Sequence, residues 1–120
     1  MSGQAAVSEF CAQMGLPPAE LPVVLSFERS GRLHIEERDG VLTALLTRRV
    51  PLHQAGVAAA ALRGVHPDRG LPFTVRAAFR GEDLLVLLAR LPAEQVDLPA
   101  LDSLVRLLAR LADDAVAAAR

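Results

Sequence analysis

At 120 residues, 52 % of them hydrophobic and 22 % charged, the chain has enough apolar material for one core and too much for intrinsic disorder. Thirteen basic residues against fourteen acidic ones leave a formal charge of −1, which excludes the overall basic footprint of a nucleic-acid or anionic-membrane binder. One cysteine, Cys11, rules out an intrachain disulfide and fits a reducing compartment.

All thirteen basic residues are arginine. GC-rich coding explains that as simply as a demand for planar, weakly hydrated anchors. Residues Met1–Glu9 show no basic region followed by an apolar run, so no secretion signal is expected. The longest near-apolar stretch, Leu84–Ala89, falls far short of the roughly 20 residues a membrane span needs.

The first element expected is a helix over Gln4–Met14, where Val7, Phe10, Cys11 and Met14 recur at i, i+3, i+4 and i+7. Gly15, Pro17 and Pro18 end it. Val23, Leu25 and Phe27 then alternate with Val24, Ser26 and Glu28, the period of a half-buried strand. Ser30-Gly31 turns the chain into a second strand, in which Arg32, His34, Glu36 and Arg38 alternate with Leu33 and Ile35. Asp39-Gly40 is a strong hairpin signal, because a type I′ turn needs positive φ at both central positions. The third strand, Val41–Thr47, is more apolar on both faces and is closed by Pro51.

His53–Arg63 predicts a weakly amphipathic helix, with Ala58–Ala61 making it apolar nearly all round. Gly56 within it costs about 1 kcal/mol relative to alanine. Gly64–Pro72 is a loop. A second hairpin follows, with Phe73, Val75, Ala77 and Phe79 facing one way and Thr74, Arg76 and Arg80 the other. After the turn Gly81-Glu82-Asp83, the strand Leu84–Leu91 sets Leu84, Val86 and Leu88 on one face and Leu85, Leu87, Ala89 and Leu91 on the other. Two-faced apolar runs of this kind belong to strands covered on both sides. Asp97 caps a final helix with Pro99 in its first turn and an apolar stripe of Leu101, Leu104, Val105, Leu108, Leu111 and Ala112. Ala115–Ala119 extends it. The order α-β-β-β-α-β-β-α makes an α+β sandwich of helices on a twisted antiparallel sheet, expected as a single domain over residues 1–120.

Reactive constellations are missing from the pattern. His34, His53 and His66 fall on a strand, a helix start and a loop, without partners at ligand spacing, and are expected to be solvated or locally hydrogen-bonded. Glu36-Glu37-Arg38-Asp39 and Glu82-Asp83 are turn charges whose adjacent residues point to opposite faces, unlike an acid/base couple. Neither a phosphate-cradling glycine loop nor a G-x-S-x-G motif occurs. The expectation is a protein that is no enzyme and takes no cofactor, metal, small-molecule substrate or nucleic acid.

What needs explaining is a surplus of apolar surface, since monomers seldom expose contiguous patches beyond a few hundred Å². Three helices can hardly cover both faces of a sheet. The two-faced strand and the alanine-rich helix nominate Val57, Leu62, Leu85 and Leu87 as contacts with a second subunit. The first helix and first strand nominate Phe10, Met14, Leu16, Val24 and Leu25 for an extended client, which gains affinity from backbone hydrogen bonds along a sheet edge.

Several segments resemble the SycN family, small chaperones of type III secretion. They are SEFCAQMGLP (Ser8–Pro17), SGRLHIEERDGVLTALLTRRVPLH (Ser30–His53), LPFTVRAAFRGEDLLVLLARL (Leu71–Leu91) and LPALDSLVRLLARL (Leu98–Leu111). The resemblance spans most of the chain and lies in the sum of fold-determining residues rather than in one motif. It implies a dimer formed through the second helix and the last two strands, here about His53–Arg63 and Phe73–Leu91. The implied partner is a second small chaperone of the YscB type. The implied client is the N-terminal region of a YopN-type secretion gatekeeper, held extended without nucleotide hydrolysis. A cytoplasmic location is implied, with a fraction peripheral at the inner membrane beside the export apparatus. The alternatives are a homodimeric chaperone for an effector toxin, a small non-catalytic ligand-binding α+β domain, and a structural subunit of the export apparatus.

Overall fold

The computed structural model describes residues 3–17, 20–27, 29, 31–54 and 56–118. Pro18, Glu28, Ser30 and Ala119, which enter the sequence expectations for the first helix stop, first strand, first turn and last helix, lie outside the described residues. The elements follow the expected order: α1 (Gly3–Gln13), β1 (Val23–Phe27), β2 (Gly31–Arg38), β3 (Val41–Arg49), α2 (Val57–Gly64), β4 (Val75–Arg80), β5 (Leu84–Pro92) and α3 (Leu98–Ala117). Short 3-10 turns occupy Pro67–Arg69 and Ala93–Gln95. The fold class is α+β.

The five strands form one antiparallel sheet in the order β1-β2-β3-β5-β4. Asp39 and Gly40 take φ of 52° and 76°, the left-handed pair that the β2–β3 turn requires. β1 and β4 are the edges, and the two longest strands, β3 and β5, lie together inside the sheet.

Alternation decides which side chains meet the helices. Leu25, Leu33, Ile35, Leu42, Ala44, Leu46, Leu85, Leu87 and Ala89 are all buried and share a core with α1, α2 and α3. The helices therefore cover one face of the sheet. α3 packs on β3 and β5, and both α1 and α2 pack against α3. Its buried stripe is Leu101, Leu104, Leu107, Leu108, Leu111, Ala112 and Ala115. Leu107 and Ala115 thus join the expected positions, while Val105 is only half-buried because it sits at the stripe's margin. Each large side chain in it contributes roughly 1.5–3 kcal/mol of transfer free energy.

Among the described residues, no polar or charged side chain is buried, so the core itself is fixed by shape. Polar ties act at its margins. The Gly3 N–H donates to Glu37 Oε1 at 2.8 Å, and the Leu21 N–H donates to Gln4 Oε1 at 2.9 Å, fastening α1 to β2 and to the approach to β1. Arg48 on β3 pairs with Asp113 on α3. Asp97 Oδ1 accepts the Ala100 N–H at 2.9 Å, the expected N-cap of α3.

The second helix departs from expectation. It begins at Val57 instead of His53, because Gly56 adopts φ 93° and ψ −22° and so stands before the helix as its cap. Leu52, His53 and Gln54 form turn structure, with the Gln54 N–H donating to the Pro51 carbonyl at 2.9 Å. Phe73 likewise precedes β4 rather than opening it, although it packs against the core.

Candidate functional site

With α1, α2 and α3 on one face, the described residues leave the other face of the sheet uncovered. Its side chains follow from the register. Val24 pairs with His34, His34 with Leu45, Leu45 with Leu88, and Leu88 with Arg76. The adjacent row runs Ser26, Arg32, Thr47, Val86 and Ala78. A third row sets Leu84 between Arg49 and Arg80. The centre of this face is therefore aliphatic, from Leu45, Leu84, Val86 and Leu88, and its margins are polar and rich in arginine. Each of the four aliphatic side chains is half-buried, in contrast to their fully buried neighbours on β3 and β5.

The nominated contact residues divide cleanly. Val57, Leu85 and Leu87 are at most 1 % exposed and lie inside the chain's own core, the two leucines on the helix side of β5. The physical reason is parity: α3 covers the odd-numbered face of β5, which leaves the even-numbered residues outside. Phe10 and Leu25 belong to the same core. Leu62 on α2, Met14 at the end of α1 and Val24 on β1 are about half exposed, and Leu16 is partly buried. These four do not form one patch, since α1 and α2 lie on the helical face while Val24 lies on the open one.

The outward set Leu84, Val86 and Leu88 was recoverable from the sequence. Arg90 has their parity on the same strand, and a hairpin pairing Arg80 with Leu84 puts Arg76 opposite Leu88. Arginines sharing a face with leucines mark the side that meets water. The register says so.

Concavities flank the aliphatic centre, two of them on the β1–β2 side. One, of about 270 Å³, is bounded by Pro22, Val24, His34, Glu36, Thr43 and Leu45 beside β1. The other, of about 810 Å³, lies where β1, β3 and β4 end and β2 and β5 begin. Neither gathers a nucleophile with a base. His34 is half-buried on the open face, His53 is exposed in a turn, and His66 Nδ1 accepts the Asp68 N–H at 3.2 Å, a local bond of the expected kind. Among the described residues, no three His, Cys, Asp or Glu side chains come together as metal ligands, and no helix is long and apolar enough to cross a membrane. The chemistry available is burial, hydrogen bonding to the free β1 and β4 edges, and ion pairing to arginine.

The model of the family described as type III secretory system chaperone SycN matches residues 4–116. The chaperone protein SycN of Yersinia enterocolitica is 32 % identical over 117 residues, covering 92 % of this chain and 94 % of its own length. Among solved structures, a chain of the heterodimeric complex ExoU–SpcU from the type III secretion system of Pseudomonas aeruginosa superposes with a TM-score of 0.67. That match has 24 % identity and covers 95 % of this chain and 98 % of the other. A chain from the complex of the Yersinia pestis type III secretion chaperone SycH with a stable fragment of YscM2 gives a TM-score of 0.66. Identity there is 17 %, over 98 % of this chain and 99 % of that one. Both structural likenesses concern the fold.

Proposed function

The chain belongs to the SycN family of type III secretory system chaperones, and on that premise we propose that it pairs with a second small chaperone of the YscB type and holds the N-terminal region of a YopN-like gatekeeper ready for export. It works without catalysis, as one domain, in the cytoplasm and in part beside the export apparatus at the inner membrane. The observation that carries this reading is the open sheet face, where Leu45, Leu84, Val86 and Leu88 stay only half-buried and no further helix among the described residues lies over them.

Two surfaces divide the work. The β4–β5 side of the open face receives the partner chaperone, with Leu62 a separate exposed contact on the helical side; Val57, Leu85 and Leu87 support it from beneath. The free edge of β1, with Val24, Met14 and Leu16 around it and Phe10 and Leu25 beneath, receives the extended client. An added strand satisfies the unpaired backbone groups of an edge and reads alternate side chains for specificity.

Co-expression of the tagged chain with a YscB-like chaperone and the N-terminal segment of a YopN-like protein tests this. The expected outcome is recovery of a complex holding one copy of each chaperone and the segment. A stable homodimer that ignores the second chaperone, yet retains an effector, would replace the reading with that of a homodimeric effector chaperone.

A further inference from the structure

The larger concavity on the open face is an arginine corner. Arg29 follows β1, Arg32 opens β2, Arg48 and Arg49 close β3, and Arg80 closes β4, so the antiparallel topology delivers five of the chain's thirteen arginines to one end of the sheet. Two are engaged: Arg48 with Asp113, and Arg49 with Asp83 at 2.6 Å. Arg29, Arg32 and Arg80 are exposed and have no carboxylate partner among the described residues. The register keeps these charges close, with Arg49 and Arg80 on either side of Leu84 in one row and Arg32 opposite Thr47, two residues before Arg49. A protein of net charge −1 has carboxylates to spare, yet none of the described residues lining this concavity is acidic.

We propose that this corner is a binding site for an acidic, extended peptide segment, whose carboxylates pair with Arg29, Arg32 and Arg80. The site rests on the chaperone reading only in taking that segment from the secreted client. Guanidinium groups offer planar forks that match carboxylates two bonds at a time. Leu84 lies on the floor between Arg49 and Arg80, so the occupant needs apolar or small side chains among its acidic ones. An extended chain supplies that alternation, with same-face residues about 6.8 Å apart. The corner also adjoins the end of β1, the free edge along which a client strand pairs, so one continuous segment reaches both. A nucleic acid fits less well. The rest of the molecule carries the excess of negative charge, and of the two rings among the described lining residues Phe27 packs against the core, leaving His34 alone to stack on a base.

The test uses the full chain and a fluorescein-labelled peptide of alternating Glu and Thr, compared by anisotropy with its Gln–Thr counterpart and with a labelled single-stranded oligonucleotide. The Glu peptide is expected to bind at least about tenfold tighter than the Gln peptide at low salt, as hydrogen bonds to charged groups require. High salt removes that difference. The double variant Arg32→Gln/Arg80→Gln is expected to lose about tenfold in affinity for the Glu peptide while keeping the wild-type circular dichroism and melting curve. Arg63→Gln, on α2, changes nothing. Equal binding of the two peptides, or full retention by the double variant, overturns the proposal; so does tighter binding of the oligonucleotide. Glu-peptide binding by a chain that captures no client leaves this site standing and removes the chaperone partnership instead.

Discussion

Leu87 and Val86 are neighbours with opposite surroundings: Leu87 is 1 % exposed beneath the helices, and Val86 faces away from them. Truncating Leu87 to alanine empties a closed site and is expected to cost roughly 2–5 kcal/mol, read as a lower denaturation midpoint. Val86→Asp puts a charge on the open face and is expected to leave the midpoint within about 0.5 kcal/mol of wild type, as surface changes do. Asp97 gives a third residue-scale expectation. Losing the carboxylate that caps α3 in Asp97→Ala is expected to cost about 1 kcal/mol by thermal or urea unfolding, because the Ala100 N–H then loses its acceptor. The cap was legible in the sequence because its chemistry is local: an acid, a proline and an apolar stripe in order. The covered face of β5 was legible less directly, because alternation alone shows only that two faces exist. The signal was the parity of Arg90 along the strand and of Arg76 across the hairpin, which marks the even-numbered side as the wet one.

The elements show the same division between local and long-range information. Strong turn chemistry fixed the β2–β3 hairpin, and Asp39 adopts the positive φ that the sequence demanded. The start of α2 was misplaced by four residues, since an apolar run can continue through a glycine in pattern while the backbone at Gly56 turns left-handed. β1 is the element on which the proposed client contact rests. It is a five-residue edge strand with one side chain, Val24, 54 % exposed on the open face. Val24→Asp is expected to weaken capture of the client segment in a pull-down while leaving the partner chaperone bound. Unchanged client capture would move the client away from this edge. The surface ion pairs carry little of this. Arg106–Asp102 along α3 is exposed, and pairs of that kind contribute at most about 1 kcal/mol.

At the scale of the whole molecule, one layer of helices on one layer of sheet leaves an aliphatic face without an inner partner. The fold and the element order were legible because they follow from periodicity and turn chemistry. The corner at the strand ends was not, since Arg29, Arg32, Arg49 and Arg80 are separated in sequence and meet only through the order β1-β2-β3-β5-β4. The central claim is that this open face is where another protein binds. Native mass spectrometry of complexes purified from the host on the tagged chain tests it most directly, with wild type run beside the double variant Val86→Asp/Leu88→Asp. Wild type is expected to carry a second small protein, and the folded variant to emerge as the bare 12.8 kDa chain. A variant that keeps its native melting curve and the same bound protein would contradict the account.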